Sequence, residues 1–210
     1  MANAEWMWAA PQRSDQSNYY WGPPHAHADH YVTSYAATFF NTEFTALFSA
    51  GDFRNIFLNA YRAPETSYRS RISRKWSFSF SSDHAMMRSP EMMLIEAEGL
   101  ARTGNEAGAR TLLERLQFNR MPFDFVASGN SGSALIEEIL VERRKELYGE
   151  PPAVEWFDAK RLGRGITRTG NHRVKGNASL DPNDKRFYLK VPQFEIDANP
   201  NITDAVNANR

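Results

Sequence analysis

"LIEEILVERRKELYGE", residues 135–150, decides the fold, because only a helical period sorts its apolar and charged letters. At 100° per residue, Leu135, Ile136, Ile139, Leu140 and Leu147 fall on one side, as a helix packed on a core requires. Glu142, Arg143 and Glu146 fall inside or at the edge of that same side, whereas Glu137, Glu138, Arg144 and Lys145 face away. Isolated buried charges are costly, so these three are expected to pair with one another or with the next helix. That helix, at about 153–162, offers Glu155, Asp158, Lys160 and Arg161 and stops at Gly163. Upstream, Ser133 is the expected cap after the Gly/Ser loop 128–133.

Two further helices precede it in "SPEMMLIEAEGLARTGNEAGARTLLERLQFNR", residues 89–120. Ser89 is the expected N-cap, Pro90 takes the first helical position, and the run from Glu91 to Thr103 ends at Gly104. Met93, Leu94, Ala97, Leu100 and Ala101 share a face, with Glu91, Glu98 and Arg102 opposite. The second helix, about 105–119, carries Ala107, Ala109, Leu112, Leu113 and Leu116. Two helices joined by so short a turn form an antiparallel hairpin of the tetratricopeptide kind. Residues 1–85 read differently, being rich in aromatic, Ser, Asn and His residues with no sustained helical period. Trp76 to Phe80 alternates as a half-buried strand, and Trp6 and Trp8, alternating with Met7, read as a buried strand face. The expected fold class is mainly α: tetratricopeptide-like helical hairpins with a loop-rich, short-stranded N-terminal portion. Residues 1–85 are expected to pack on 86–210 as one structural unit.

The 25 basic and 25 acidic residues cancel, so no overall field draws the chain to nucleic acid, an anionic membrane or an acidic substrate. With no cysteine, disulfides, thiolate nucleophiles and cysteine zinc sites are excluded. No apolar run reaches the roughly 18 residues of a membrane span, and no signal-peptide core follows Met1. Five Trp, eight Tyr and fourteen Phe exceed what most cores of this size need, and a surplus of surface rings suits stacking on flat apolar faces such as those of sugars.

Four segments in this order and spacing resemble the C-terminal half of the SusD/RagB family. They are 89–120, 135–150, "VEWFDAKRLGRG" (154–165) and "FYLKVPQFEIDANPNI" (187–202). The resemblance rests on Glu91, Leu94, Ala97 and Glu98, on Glu142-Arg143-Arg144 with Glu146-Leu147, on Trp156-Phe157-Asp158 with Arg161, and on Val191-Pro192 leading to Asn199-Pro200-Asn201. It is strong over about 86–204 and looser before, where "AEWMWA" and "SAGDFRNIFL" also look like family segments. The resemblance implies a non-enzymatic, outward-facing protein of the Bacteroidetes outer membrane that binds oligosaccharide or polysaccharide nutrient. It also implies a SusC-like, TonB-dependent transporter as partner. The family's lipid-bearing cysteine and helical N-terminal half are not in this sequence, so a C-terminal fragment or shortened relative is expected. Gly149-Glu150-Pro151-Pro152 departs from the family's Glu-Gly at that loop. The matched motif residues are scaffold, so no sugar-binding role passes to Glu142, Arg143 or Asp158.

The expected carbohydrate-binding residues are Asn18, Tyr19, Tyr20 and Trp21, three rings and an amide in a loop bounded by Gly22-Pro23-Pro24. Packing of these rings against protein is the competing reading. His25-Ala26-His27-Ala28-Asp29-His30 has the lettering of a metallo-hydrolase ligand run. Two prolines before it rule out the rigid central strand that such a site needs, and His84 and His172 lie in polar stretches, so no metal site, cofactor or catalytic residue is expected. Tyr68 to Trp76 mixes basic and aromatic residues as a single-strand nucleic-acid platform does, but a strand edge guarded by cations explains it better, and no nucleic acid is expected. The abundant glutamates of 137–146 share one helix and are better explained by ion pairing than by the facing carboxylates of a glycosidase. After glycan binding, the alternative functions are a helical-repeat scaffold for another protein and, third, a metal-dependent hydrolase.

Overall fold

A computed structural model describes residues 4–11, 15, 38–75, 83–150, 154–174 and 179–208. Its order is β1 (Trp6–Ala10), α1 (Thr42–Thr45), β2 (Phe57–Leu58), β3 (Ile72–Ser73), β4 (His84–Arg88), α2 (Ser89–Arg102), α3 (Glu106–Arg120), α4 (Gly132–Leu147), α5 (Val154–Arg161) and α6 (Gln193–Ala198). Single 3₁₀ turns occupy Lys185–Phe187 and Asp204–Asn207. The fold is mainly helical, as the hydrophobic periods predict. No described helix is long and apolar enough to cross a membrane.

The helical hairpin is built as its letters require. Thr103 closes α2, Gly104 turns the chain at φ +90°, a conformation glycine adopts without Cβ strain, and Asn105 opens α3 by accepting the Gly108 N–H at 3.1 Å. Ala97 and Ala109 are fully buried, and their small side chains let the helices approach closely. Leu94, Leu113, Leu116, Leu135 and Ile139 complete a core shared by α2, α3 and α4. A second core is almost wholly aromatic: Phe40, Phe44, Phe48 and Phe57 surround Tyr148. The Tyr148 hydroxyl shares a 2.8 Å hydrogen bond with Ser73 Oγ, and burial pushes its pKa up to about 12. A third cluster, Ala159, Leu180 and Phe187 with Trp156 and Ile166, holds the C-terminal segments onto α5.

Several sequence expectations change, the first being that Ser89 and Ser133 cap their helices: both lie inside them, the N-cap positions being Arg88 and Ser131. β1 pairs antiparallel with β4, but register shifts on both sides of Trp8 break the two-residue alternation. Trp8 is therefore 61% exposed and does not form a buried face with Trp6. Lys145, expected to face away, is 5% exposed, because the 46–75 segment covers that flank of α4. Glu98, expected opposite the apolar face of α2, is buried where Arg161 of α5 crosses it. The strand expected at 76–80 lies outside the described residues.

Candidate functional site

The charges of α4 form a buried network whose partners come from the N-terminal portion, at Asp52 and Arg54, and from the other helices and their ends, at Arg88, Glu91, Arg120 and Asp158. Glu146 accepts from Arg54 Nη1 at 3.0 Å, Arg88 Nη1 at 2.9 Å, and Arg120 through Nε at 3.0 Å and Nη2 at 2.9 Å. Glu142 lies 2.6 Å from Arg54 Nη2, and Asp52 receives a bidentate Arg54 pair at 2.9 and 2.8 Å together with Lys145 at 3.0 Å. Of the three inward charges, only Arg143 reaches the next helix, donating to Asp158 at 3.0 Å and to Glu91 at 3.1 Å. Pairing with the next helix thus holds for Arg143, whereas Glu142 and Glu146 are met neither by α5 nor by Arg143 but by arginines at 54, 88 and 120.

Burial alone would raise the Glu146 carboxyl, but Arg120, Arg88 and Arg54 outweigh it and hold the group at about 2. A general acid needs the opposite displacement. Burial dominates at Lys75, drawing its ammonium down to about 8 although Glu150 lies 2.5 Å away and the Glu146 and Tyr148 carbonyls each accept from it at 2.9 Å. These groups lock segments together.

The surface above the aromatic core has a different character. Phe39 meets Tyr61 at a ring separation of 5.7 Å and Tyr68 edge-on at 5.4 Å. The Arg69 guanidinium lies 5.6 Å from the Tyr61 ring centre and 5.4 Å from that of Tyr68, and Arg173 lies 5.4 Å from the latter. Tyr61, Arg69 and Arg173 are exposed.

Local chemistry holds this platform still. The Asn59 side chain brackets the 59–63 turn, donating to the Ala63 carbonyl at 2.7 Å and accepting its N–H at 2.9 Å. Buried Asn171 joins three loops: it donates to the Ser67 carbonyl at 2.9 Å and Ser70 Oγ at 3.0 Å and accepts from Thr42 N–H at 2.9 Å. Rings and guanidiniums fixed in this way offer stacking faces and in-plane donors with little ordering cost on binding.

A cleft of about 850 Å³ opens between the end of α4, α5 and residues 164–167, with Leu140, Leu147, Val154 and Trp156 among its apolar walls. Its cations are already matched, Arg144 by Glu155 at 2.8 Å and Arg164 by Glu137, and Trp156 packs on Phe187 at 4.8 Å. Its charged lining residues are all engaged within the protein, so the platform, with its exposed ring and guanidiniums, is the stronger candidate.

Asn18, Tyr19, Tyr20 and Trp21, and with them His25, His27 and His30, lie outside the described residues. His172 Nδ1 contacts the Val174 carbonyl at 2.7 Å, and among the described residues no cluster of His, Asp or Glu is arranged to hold a metal ion. The described part of the basic and aromatic run, 68–75, separates on folding. Tyr68 and Arg69 stand on the surface, Arg71 pairs with Glu65, and Lys75 turns inward. Phe39, Tyr61 and Arg173 escaped the sequence reading because they come from distant parts of the chain, and only the mixed composition around Tyr68 signalled the place.

A family model described as the SusD family matches residues 66–207. No curated protein matches the chain. Among solved structures, a SusD-like carbohydrate binding protein from Bacteroides vulgatus is 23% identical with a TM-score of 0.74, the alignment covering 99% of this chain and 48% of that one. A SusD superfamily protein from Bacteroides thetaiotaomicron is 23% identical with a TM-score of 0.76, over 96% of this chain and 48% of its own. A sugar binding protein from Bacteroides vulgatus, described as putative, is 22% identical with a TM-score of 0.75, over 94% and 44%. The chain therefore spans about half the length of the structures it matches.

Proposed function

The chain belongs to the SusD family, and on that premise we propose that it binds oligosaccharide or polysaccharide nutrient without catalysing a reaction. It does so facing outward at the cell outer membrane and passes the glycan to a SusC-like, TonB-dependent transporter. Residues 1–85 and 86–210 act as one unit. The observation that carries this reading is the family match, which runs from the platform at Tyr68 and Arg69 through α6. Sugar rings stack on loop aromatics, Tyr19, Tyr20 and Trp21 with Asn18 as the amide, while protein donors take the hydroxyls. The described acidic residues in the helical core serve ion pairing, which agrees with binding without bond cleavage.

Calorimetric titration with a panel of neutral and acidic oligosaccharides, repeated with Trp21→Ala, tests the reading. Binding to at least one glycan, weakened about tenfold or more in the variant and with the glycan recovered intact by mass spectrometry, is expected. Absence of binding across the panel would refute it.

A second reading has its own support. Phe118, Phe123 and Val126 are each exposed at or just after the end of α3, as residues of a docking face for another protein would be. This is the helical-repeat scaffold, and binding of protein but no glycan would establish it.

A further inference from the structure

We propose that the Tyr61–Tyr68 platform is an anion-selective subsite, at which Arg69 and Arg173 grip the carboxylate or sulfate of an acidic sugar residue. The proposal rests on the glycan-binding reading and narrows it to a substrate class.

The starting point is how this chain treats its other arginines. Arg54, Arg88, Arg120, Arg143, Arg161 and Arg164 each have a carboxylate within ion-pair distance. Arg144 shows that stacking on a ring does not preclude pairing: it lies 5.0 Å from the Phe44 ring centre and still takes Glu155. Among the described residues, Arg69 and Arg173 share with Arg62, Arg74, Arg115 and Arg168 the lack of a carboxylate at ion-pair distance, and what sets the two apart is that both lie over one ring, that of Tyr68. Glu65, the acid in the same loop, is taken by Arg71 Nη1 at 2.8 Å. Arg69 spends its Nε on the Tyr68 hydroxyl at 2.9 Å, which leaves the two terminal nitrogens as donors.

The two guanidiniums are each 5.4 Å from the same Tyr68 ring centre, at an exposed surface where, among the described residues, neither is paired with an acid. An acidic sugar lying on the Tyr68 ring brings its oxyanion to charge-assisted, planar donors, which an ammonium could not present in the same geometry. The exposed ring of Tyr61 supplies an apolar face for the pyranose that carries the anion. The fixed loops noted above, tied through Asn59 and buried Asn171, make the arrangement preformed. Because the whole chain has 25 acidic and 25 basic residues, preference for an acidic sugar cannot come from general attraction and must come from a local site of this kind.

Four hexasaccharides form the test: hexagalacturonate, its full methyl ester, a neutral galactose hexamer and a chondroitin sulfate hexamer. Each is titrated into the chain and into the R69Q/R173Q double variant, with thermal melting to show that the variant, altered only at two exposed side chains, folds as before. The expected result is that hexagalacturonate, the sulfated hexamer or both bind at least about tenfold more tightly than the ester and the neutral hexamer. The variant should lose that advantage while any affinity for the neutral hexamer stays unchanged. The arm that binds identifies carboxylate or sulfate as the source. Equal binding of acid and ester, undiminished acid binding by the variant, or binding of the neutral hexamer alone overturns the anion subsite and leaves the glycan reading standing. Binding of a single-stranded oligothymidine as tightly as the best acidic hexamer also overturns it, in favour of general polyanion attraction. Failure to bind any of the four, or any member of the wider panel, overturns both.

Discussion

Replacing Glu146 by Gln keeps the shape of the network's hub and removes its charge. The carboxylate is 3% exposed and serves Arg54, Arg88 and Arg120, whose side chains are themselves only 11%, 12% and 19% exposed. It is held at about 2 in the folded chain against the ordinary glutamate value of 4.5. Its contribution is therefore fully present above the unfolded pKa and disappears as pH falls through the folded one. At about 1.4 kcal/mol per tenfold change, the ionised group stabilises the fold by about 3 kcal/mol at pH 7. Direct breakage of a buried ion network costs a similar about 3 to 5 kcal/mol. A domain has about 5 to 15 kcal/mol in all, so Glu146→Gln should fold but melt early.

Urea unfolding followed by tryptophan fluorescence should show a midpoint lower by about 1 M or more. The same comparison at pH 3.5 sharpens the test, since the unfolded wild type then binds protons that the folded one refuses. Roughly 1 kcal/mol of the difference should be gone there. A difference below about 1 kcal/mol at pH 7, or one that is identical at both pH values, would refute the argument that three arginines hold this carboxylate ionised.

Other substitutions probe other links. Leu113→Ala, at a fully buried position between α2, α3 and α4, should cost about 3 kcal/mol by the same urea assay, and a loss under about 1 kcal/mol would mean the helical core is not packed as described. Gly165→Ala places a Cβ against the Leu180 carbonyl oxygen beside the Ile166–Leu180 bridge, so the C-terminal segments should become more open to limited proteolysis while α2 and α3 stay protected. Asn171→Ala removes the side chain that joins three loops and should lower stability by about 2 kcal/mol and weaken glycan affinity together; a variant that lost stability but bound glycan normally would disconnect the platform from binding.

What the sequence reveals depends on how local the deciding interaction is. The hairpin of α2 and α3 is legible to within about one residue because its signals, Pro90, Gly104 and Asn105, act within a turn or two of where they stand. That charged residues of α4 point inward is legible from the wheel, but their partners are not. Arg54 and Arg88 are ninety-two and fifty-eight residues from Glu146, and no periodicity links them. Lys145 looks solvent-facing on a wheel because a wheel cannot know that a distant loop lies across it. Trp8 looks buried because alternation assumes an unbroken ladder, and the bulge in β1 removes that assumption. The platform is the extreme case: Phe39, Tyr61, Tyr68 and Arg173 meet only through loop packing, so the sequence shows a basic and aromatic stretch and not the site.

The central claim is that this chain, about half the length of the structures it matches, holds glycan by itself and leaves it intact. Native electrophoresis in gels cast with and without individual neutral and acidic polysaccharides tests this most directly. The account predicts retardation in at least one polysaccharide gel, greatest in acidic ones, with the polysaccharide recovered at unchanged chain length. Unchanged mobility in every gel, or shortening of the polysaccharide, would contradict it.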